Sequence, residues 1–498
     1  MNAVARADEL LAGADDADLD GLEAAYERLL PSLRRYLDDN ASTSFPAYVP
    51  GSIASEAAAL PDDGVGLAAT VDELGEIVRE GCRITAPGWT GFITTGATTA
   101  PAAAHAAVGV AGGQRYMLHA FNALERTGLR WLAALCGLPT GVAGVFSSGG
   151  STANLIALGT ARQAAFERLG VDTSEDGLPP GVRGRIYASH RAHRTIHRSA
   201  AVLGFGRKGV CEISSDSETR IDVTALEAAL ERDAREGIIP IAVVAVAGST
   251  DTGKVDPIAD VVEVARRFGA WVHVDGAYGL VANASPALAP LFAGLEDADS
   301  WIVDPHKWLA TGLGVGATFV RDADLLVRAF AEGHAAYLEG SFSATRAERP
   351  SQFDEISGMW ADQGVELSSP PRGVLVWAIL REIGRRGVAR RVERHAAFAQ
   401  RVVELARADD RLEPLLEPDL SIACFRYRPP AGADDDALNF RILERLRRET
   451  PYIPTSTVVD GKFAIRPCFI NPRTTIREVE GMVEAVARLG DELAAEQV

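Results

Sequence analysis

Residues 301–312 read WIVDPHKWLATG. The apolar run at its start reads as a strand, and Lys307 lies just beyond it. The chain has 50 Lys and Arg together, yet only four are Lys: Lys208, Lys254, Lys307 and Lys462. Where arginine supplies nearly all the positive charge, a lysine at a strand end asks for a reason. A guanidinium is effectively always charged, whereas an amine can lose its proton and form a Schiff base. The plainer reading is a surface lysine without a role.

The pattern around this stretch extends from about residue 98 to 371. Short apolar runs in GVFSS, IPIAVVAVAG, WVHVDGAYG, SWIVDP and GATFVRD alternate with helical stretches such as DVTALEAALERDAREG and DPIADVVEVARRFG. Such alternation indicates βαβ units and a mainly parallel sheet, hence an α/β fold. Residues 338–371 break the rhythm with a polar, Ser-rich segment of the length that functional loops have. Beyond it a long helical pattern is followed by SIACFRYRP and GKFAIRPCFI, which alternate like strands. The expected division is an N-terminal helical segment (1–97), a large α/β domain (98–371) and a smaller α+β C-terminal domain (372–498).

With 498 residues, 47% of them hydrophobic and 24% charged, the chain has the composition of a soluble globular protein with a sizeable core. A formal net charge of −18 argues against nucleic acid and against anionic membrane as partners. The five cysteines are scattered, with no C-x-x-C pair, which suits a reducing compartment. The N-terminus has no apolar signal region, so the expected location is cytoplasmic. From Ile84 to Gln114 there is no Asp, Glu, Lys or Arg. The run is long enough to span a bilayer, but its prolines, glycines and alanines favour a buried or interface segment.

Three features share one chemistry. The run FSSGGSTANLIALGTAR places Ser147–Thr152 between a strand and a helix. Glycines let the backbone approach an anion, and the first helical turn offers free N–H groups, with Gly150, Ser151 and Thr152 as a phosphate cup. Asp275 ends the apolar run of WVHVDGAYG, where the carboxyl ends of parallel strands face a ligand crevice; a helix N-cap is the simpler alternative. Lys307 lies 32 residues further on, one crossover away. Cup, amine and carboxylate together describe pyridoxal 5′-phosphate: the lysine for its aldehyde, the aspartate for its pyridine nitrogen, the helix N-terminus for its phosphate. The run SHRAHRTIHRSA tempts a metal reading, because His193 and His197 are four apart. Arg191, Arg194 and Arg198 oppose it, and no metal is expected.

With HVDGAYG, DPHKW, the SGGS-x-x-N cup and a closing FINPRTT, the chain resembles the group II pyridoxal-phosphate-dependent amino-acid decarboxylases from about residue 80 to 480. The resemblance implies a fold-type I, aspartate-aminotransferase-like architecture with a mainly parallel seven-stranded sheet. It implies that Lys307 carries the cofactor, Asp275 holds the pyridine nitrogen, Ala277 packs on the ring and His193 stacks over it. Gly150 and Ser151 would bind phosphate, helped by His306 and Asp304, with Thr250 near the cofactor. Tyr337, thirty residues past Lys307, falls where the family places a proton donor on a mobile loop. A homodimer with shared active sites is also implied, with Ile84–Gln114 at its interface.

The departures cluster near the substrate: Ser249 for a usual Thr, Arg372 without its usual paired arginine, and His119 and Phe121 in LHAFNALE. The substrate wall is expected in PGWTGFITTG, where Trp89, Phe92, Ile93 and Thr95 offer apolar surface and one hydroxyl. Few fixed charges lie close in sequence, so an aromatic or apolar L-amino acid is expected, unless Arg115 or His119 pairs with a side-chain carboxylate. The expected reaction is decarboxylation to the amine and CO2. The alternatives are an acidic amino-acid decarboxylase, an aldehyde synthase, a carbon–carbon lyase or an aminotransferase on the same fold, and a catalytically silent regulatory subunit.

Overall fold

The computed structural model describes residues 21–39, 64–81, 83–113, 119–331, 360–428 and 435–496. Two amphipathic helices come first, α1 (Leu22–Asp39) and α2 (Leu67–Glu80). They pack on each other and share the exposed Arg28–Asp72 ion pair, 2.5 Å long. A two-residue strand follows, β1 (Trp89–Thr90), then α3 (Thr99–Ala111) and α4 (His119–Leu135).

The large sheet is assembled from β2 (Ala143–Ser147), α5 (Gly150–Glu167), β3 (Gly184–Ser189), α6 (Thr195–Val202), β4 (Val210–Ile213), α7 (Val223–Arg235), β5 (Ile239–Val246), α8 (Ile258–Arg267), β6 (Trp271–Asp275), β7 (Ser300–Val303) and β8 (Gly316–Val320). Its strand order is β2-β8-β7-β6-β5-β3-β4. All neighbours are parallel except those of β8, which runs antiparallel to both β2 and β7. The expected mainly parallel seven-stranded sheet is therefore present. The strands β3 and β4 had no clear signal: one opens on glycine and the other is a four-residue edge strand. Helix α5 lies across β5–β8 and is buried on almost every side. Its first turn meets the carboxyl ends of the parallel strands there.

After α9 (Ala323–Phe330), the helix α10 (Gly373–Ala408) breaks at Gly384, whose φ of 63° with ψ of 176° is a combination that favours glycine. The C-terminal part comprises β9 (Leu412–Pro414), β10 (Phe425–Tyr427), α11 (Asp435–Glu449), β11 (Ile453–Val459), β12 (Lys462–Arg466) and α12 (Ile476–Ala495). Thr475 and Glu478 cap α12 reciprocally.

The small sheet has the order β1-β11-β12-β10-β9. Its β1 comes from residues 1–97, which pattern alone groups with the N-terminal helices. Trp89 and Thr90 pair with Ile453 and Pro454, and so cover what would otherwise be an open sheet edge. Gly88 permits the approach, because a Cβ there would lie 2.1 Å from the Pro451 carbonyl oxygen. The NPRTT stretch secures the same segment: Asn471 donates to the Ala86 carbonyl at 2.6 Å and Thr474 to that of Pro87 at 2.7 Å. This anchoring sets the position of Phe92, which reaches the site described next.

Candidate active site

One cavity of about 320 Å³ lies at the carboxyl ends of the parallel strands. From the start of α5 it receives Gly150, Ser151 and Thr152; from the end of β6, Asp275 and Ala277; from the loop after β7, Asp304, His306 and Lys307. His193 and Thr250 complete the set, so all ten residues expected around the cofactor line a single space.

Lys307 is the lysine that faces it. Lys254 is more deeply buried, at 2% exposure, but its ammonium meets Glu218 at 2.8 Å and Asp419 at 3.2 Å. Lys307 sits in a tight turn, its N–H donating to the Asp304 carbonyl at 2.9 Å. The next residue, Trp308, is fully buried; it stacks on Tyr278 with ring centroids 5.0 Å apart and donates to His395 Nδ1 at 2.9 Å. This anchor restrains the lysine's backbone while its side chain stays in the cavity. Lys307 Nζ lies 3.2 Å from Asp304 Oδ2. His306 donates Nδ1–H to the Val315 carbonyl at 2.8 Å, which leaves Nε2 as its other polar edge.

The anion cup is built as the glycines suggest. Gly149 has a φ of 134°, and a Cβ on Gly150 would come within 2.7 Å of Asp304 Oδ2. No described side chain caps α5, and its first turn has no acidic residue. The first N–H groups of a helix have no partner within it and carry its positive dipole end. Ser148 Oγ and Thr152 Oγ1 are 2.9 Å apart, and the Ser148 N–H donates to Glu366 Oε1 at 3.1 Å. Glu366 pairs in turn with the buried Arg372 at 2.5 Å. Pattern reading noted Arg372 but missed Glu366, whose partners are distant in sequence.

Asp275 is 5% exposed and takes two hydrogen bonds, from Asn154 Nδ2 to Oδ2 at 3.1 Å and from the Ala277 N–H to Oδ1 at 3.2 Å. Burial pushes the His193 imidazolium below its ordinary value; Asp275 opposes that and Lys307 adds to it. The ring is thus neutral at pH 7. The other histidines of its run lie elsewhere: His197 meets Glu212 at 3.0 Å and His190 the Ile213 carbonyl at 3.2 Å. Among the described residues no cluster of three metal-ligating side chains occurs.

A second cavity, of about 400 Å³, adjoins the first and shares His193, Thr250 and Lys307 with it. Phe92 and Ile93, two of the four residues expected at the substrate wall in that stretch, line it. Trp89 and Thr95 line neither cavity and are instead buried at 5% and 2% exposure. Phe92 adopts a φ of 54°, and this local kink rather than strand alternation decides which side chains face the space. The His119 side chain, Arg115 and Tyr337 lie outside the described residues. A residue not anticipated also lines the second cavity: Arg466, 3% exposed, on the last residue of β12. It donates to the Phe92 carbonyl at 2.9 Å, the Asp251 carbonyl at 3.2 Å and the Thr250 carbonyl. Among the described residues it has no carboxylate partner. Its only signal in sequence was an arginine directly after the apolar run Phe463–Ile465.

A lysine and a carboxylate in one cavity with an uncapped helix N-terminus match the donor set of pyridoxal 5′-phosphate: an amine for its aldehyde, a carboxylate for its ring nitrogen, N–H groups for its phosphate. Comparison with known proteins agrees. Residues 106–428 match the model of the pyridoxal-dependent decarboxylase conserved domain. An aromatic-L-amino-acid decarboxylase of Bacillus atrophaeus is 31% identical over 376 residues, 74% of each chain. An L-2,4-diaminobutyrate decarboxylase of Rhizobium meliloti is 30% identical over 450 residues, 87% of this chain and 84% of that one. The solved structure of Oryza sativa TDC with PLP and tryptamine superposes with a TM-score of 0.88 at 26% identity, over 97% of this chain and all of that one. With two thirds of its length in that domain and its fold shared from end to end, the chain belongs to the pyridoxal-dependent decarboxylase family and is a pyridoxal-phosphate-dependent amino-acid decarboxylase.

Proposed function

We propose that the enzyme decarboxylates an aromatic or other apolar L-amino acid. The observation that carries this reading is the charge inventory of the second cavity. A substrate's α-carboxylate needs one cation, and an acidic side chain would need another. Among the described lining residues Arg466 is the arginine without a carboxylate partner. The neighbouring Arg191 is already paired with Asp251 at 2.6 Å. Phe92 and Ile93 then offer apolar surface to the side chain, and Thr455, Ser456 and Thr457 offer hydroxyls.

Bound pyridoxal phosphate supplies an electron sink conjugated to the substrate's Cα. The chain's own residues do the rest. Lys307 would make the covalent link and Asp275 would hold the pyridine nitrogen, while His193, Ala277 and Thr250, which line the same cavity, would bound the ring. Gly150, Ser151, Thr152 and His306 hold the phosphate, with Asp304 orienting Lys307. Arg466 would bind and orient the substrate's α-carboxylate. Tyr337 is proposed as the group that returns a proton to Cα.

The test is a substrate panel with CO2 and amine measured together. Tyrosine, phenylalanine, tryptophan or leucine is expected to exceed glutamate, aspartate and 2,4-diaminobutyrate in kcat/KM by roughly 10²-fold, the cost of leaving a buried charge unpaired. Faster turnover of a charged substrate would refute the apolar reading.

We also propose a cytoplasmic homodimer. Among the described residues no helix is long and apolar enough to cross a membrane. Helix α3, in the charge-free stretch, buries only Pro101 and Ala104 within one chain, and Tyr26, Leu30, Leu37, Leu67 and Leu74 are exposed on α1 and α2. These apolar faces suit burial against a second copy. Light scattering at assay concentration is expected to give twice the chain mass; a fully active monomer would overturn the proposal.

A further inference from the structure

A buried hydrogen-bond chain runs behind Asp275. Trp271, His273 and Asp275 alternate along β6 and so share one face of the strand. The β6–β7 register sets His273 beside Ser300. Trp271 Nε1 donates to Ser300 Oγ at 2.8 Å, and Ser300 Oγ lies 2.9 Å from His273 Nδ1. His273 Nε2 lies 2.9 Å from Asn154 Oδ1, and Asn154 Nδ2 donates to Asp275 Oδ2 at 3.1 Å. His273, Ser300 and Asn154 are all at most 1% exposed.

The two ends fix the direction of every link. An indole N–H can only donate, and a carboxylate can only accept. Ser300 accepts from Trp271; because Asp275 takes an Asn154 N–H, the Asn154 oxygen is left to take Nε2–H of the neutral His273, whose Nδ1 then accepts the Ser300 hydroxyl proton. The bond from His273 keeps the amide nitrogen turned toward Asp275. Burial holds His273 down to about 4, so this neutral tautomer persists through physiological pH.

The amide has a second N–H, which donates to Thr195 Oγ1 at 3.3 Å. That hydroxyl lies 2.9 Å from His193 Nδ1, which also accepts the Thr195 N–H at 3.3 Å. His193 Nδ1 is thus an acceptor, and the neutral ring keeps its proton on Nε2. One side chain, on the second turn of α5, is tied to the carboxylate at one edge of the cavity and to the histidine at another.

We infer that Asn154 is a positioning residue that sets both Asp275 and His193, with the Trp271–Ser300–His273 relay fixing the orientation of its amide. The inference rests on the reading that Asp275 meets the pyridine nitrogen. A carboxylate turned out of line shares the pyridine proton less well, so loss of Asn154 should show at that nitrogen. A merely structural role would not move it.

The experiment reconstitutes the enzyme with pyridoxal phosphate 15N-labelled at the ring nitrogen and reads its NMR shift in the wild type and in Asn154→Leu, Ser300→Ala and Asp275→Asn. Asn154→Leu is expected to keep the cofactor, to move the signal toward the unprotonated position, and to lower kcat roughly 10- to 100-fold with little change in KM. Ser300→Ala, which unsets the relay without touching the cavity, should move the signal the same way by less, and it decides the matter if Asn154→Leu does not fold. If Asp275→Asn moves the signal while the other variants leave it in the native position, even with kcat reduced, the inference is overturned and the role of Asp275 stands. If Asp275→Asn itself leaves it unmoved, the reading of Asp275 falls instead.

Discussion

Lys307→Ala is expected to yield a folded protein that cannot be fixed to pyridoxal phosphate by borohydride and makes amine at least roughly 10³-fold more slowly. Losing a covalently placed reactant forfeits several kcal/mol of orientation, which is worth orders of magnitude in rate. Folding should be little affected, because the Lys307 side chain is 20% exposed and borders a cavity, while the adjacent Trp308 makes the packing contacts. Mass spectrometry of the reduced wild-type enzyme should locate the cofactor on Lys307. Lys254 is the informative control: it is buried, but two carboxylates engage it and it does not line the cavity. Borohydride fixation that survives in Lys307→Ala would show that a different amine carries the cofactor.

Asp275→Asn should behave differently. An amide can keep one contact to the ring nitrogen, so cofactor affinity is expected to fall modestly and the protein to remain coloured. Turnover should drop by roughly 10²-fold or more, because a neutral pyridine is a poor electron sink and each 1.4 kcal/mol of barrier costs about tenfold. Measuring kcat at saturating substrate together with cofactor Kd separates the two effects. Near-normal kcat in this variant would remove Asp275 from its proposed role.

The difference between the two variants follows from where their side chains sit, and that was partly legible in the chain itself. The apolar run of WVHVDGAYG put Asp275 at the carboxyl end of a strand, and a Gly-rich turn before a helix marked the anion cup at Gly150, Ser151 and Thr152. Such readings succeed because an apolar strand run and an N-terminal helical turn are local objects. The lysine stood out by composition alone, as one of four in the chain.

Other parts of the site depend on contacts between segments far apart in sequence. Trp89 and Thr95 read as wall residues because they flank Phe92 and Ile93, yet the pairing of β1 with β11 and the left-handed φ of Phe92 leave them buried elsewhere. Arg466 reaches the second cavity from a strand 159 residues past Lys307, and nothing nearby in sequence shows whether an inward arginine has a carboxylate waiting for it. Ser300 is unremarkable in sequence, and Asn154 enters there only as the last residue of the SGGS-x-x-N run, with no partner indicated; they join Asp275 only once α5 packs on the sheet and β6 takes its register beside β7. By itself, then, the sequence determined the α/β class, the cofactor chemistry and the residues that gather around one cavity, since periodicity and residue type act locally. Only the tertiary structure decided which distant groups hydrogen-bond to those residues and which arginine lines the second cavity without a carboxylate partner among the described residues, because side-chain hydrogen bonds and ion pairs depend on distances of about 3 Å that no local pattern encodes.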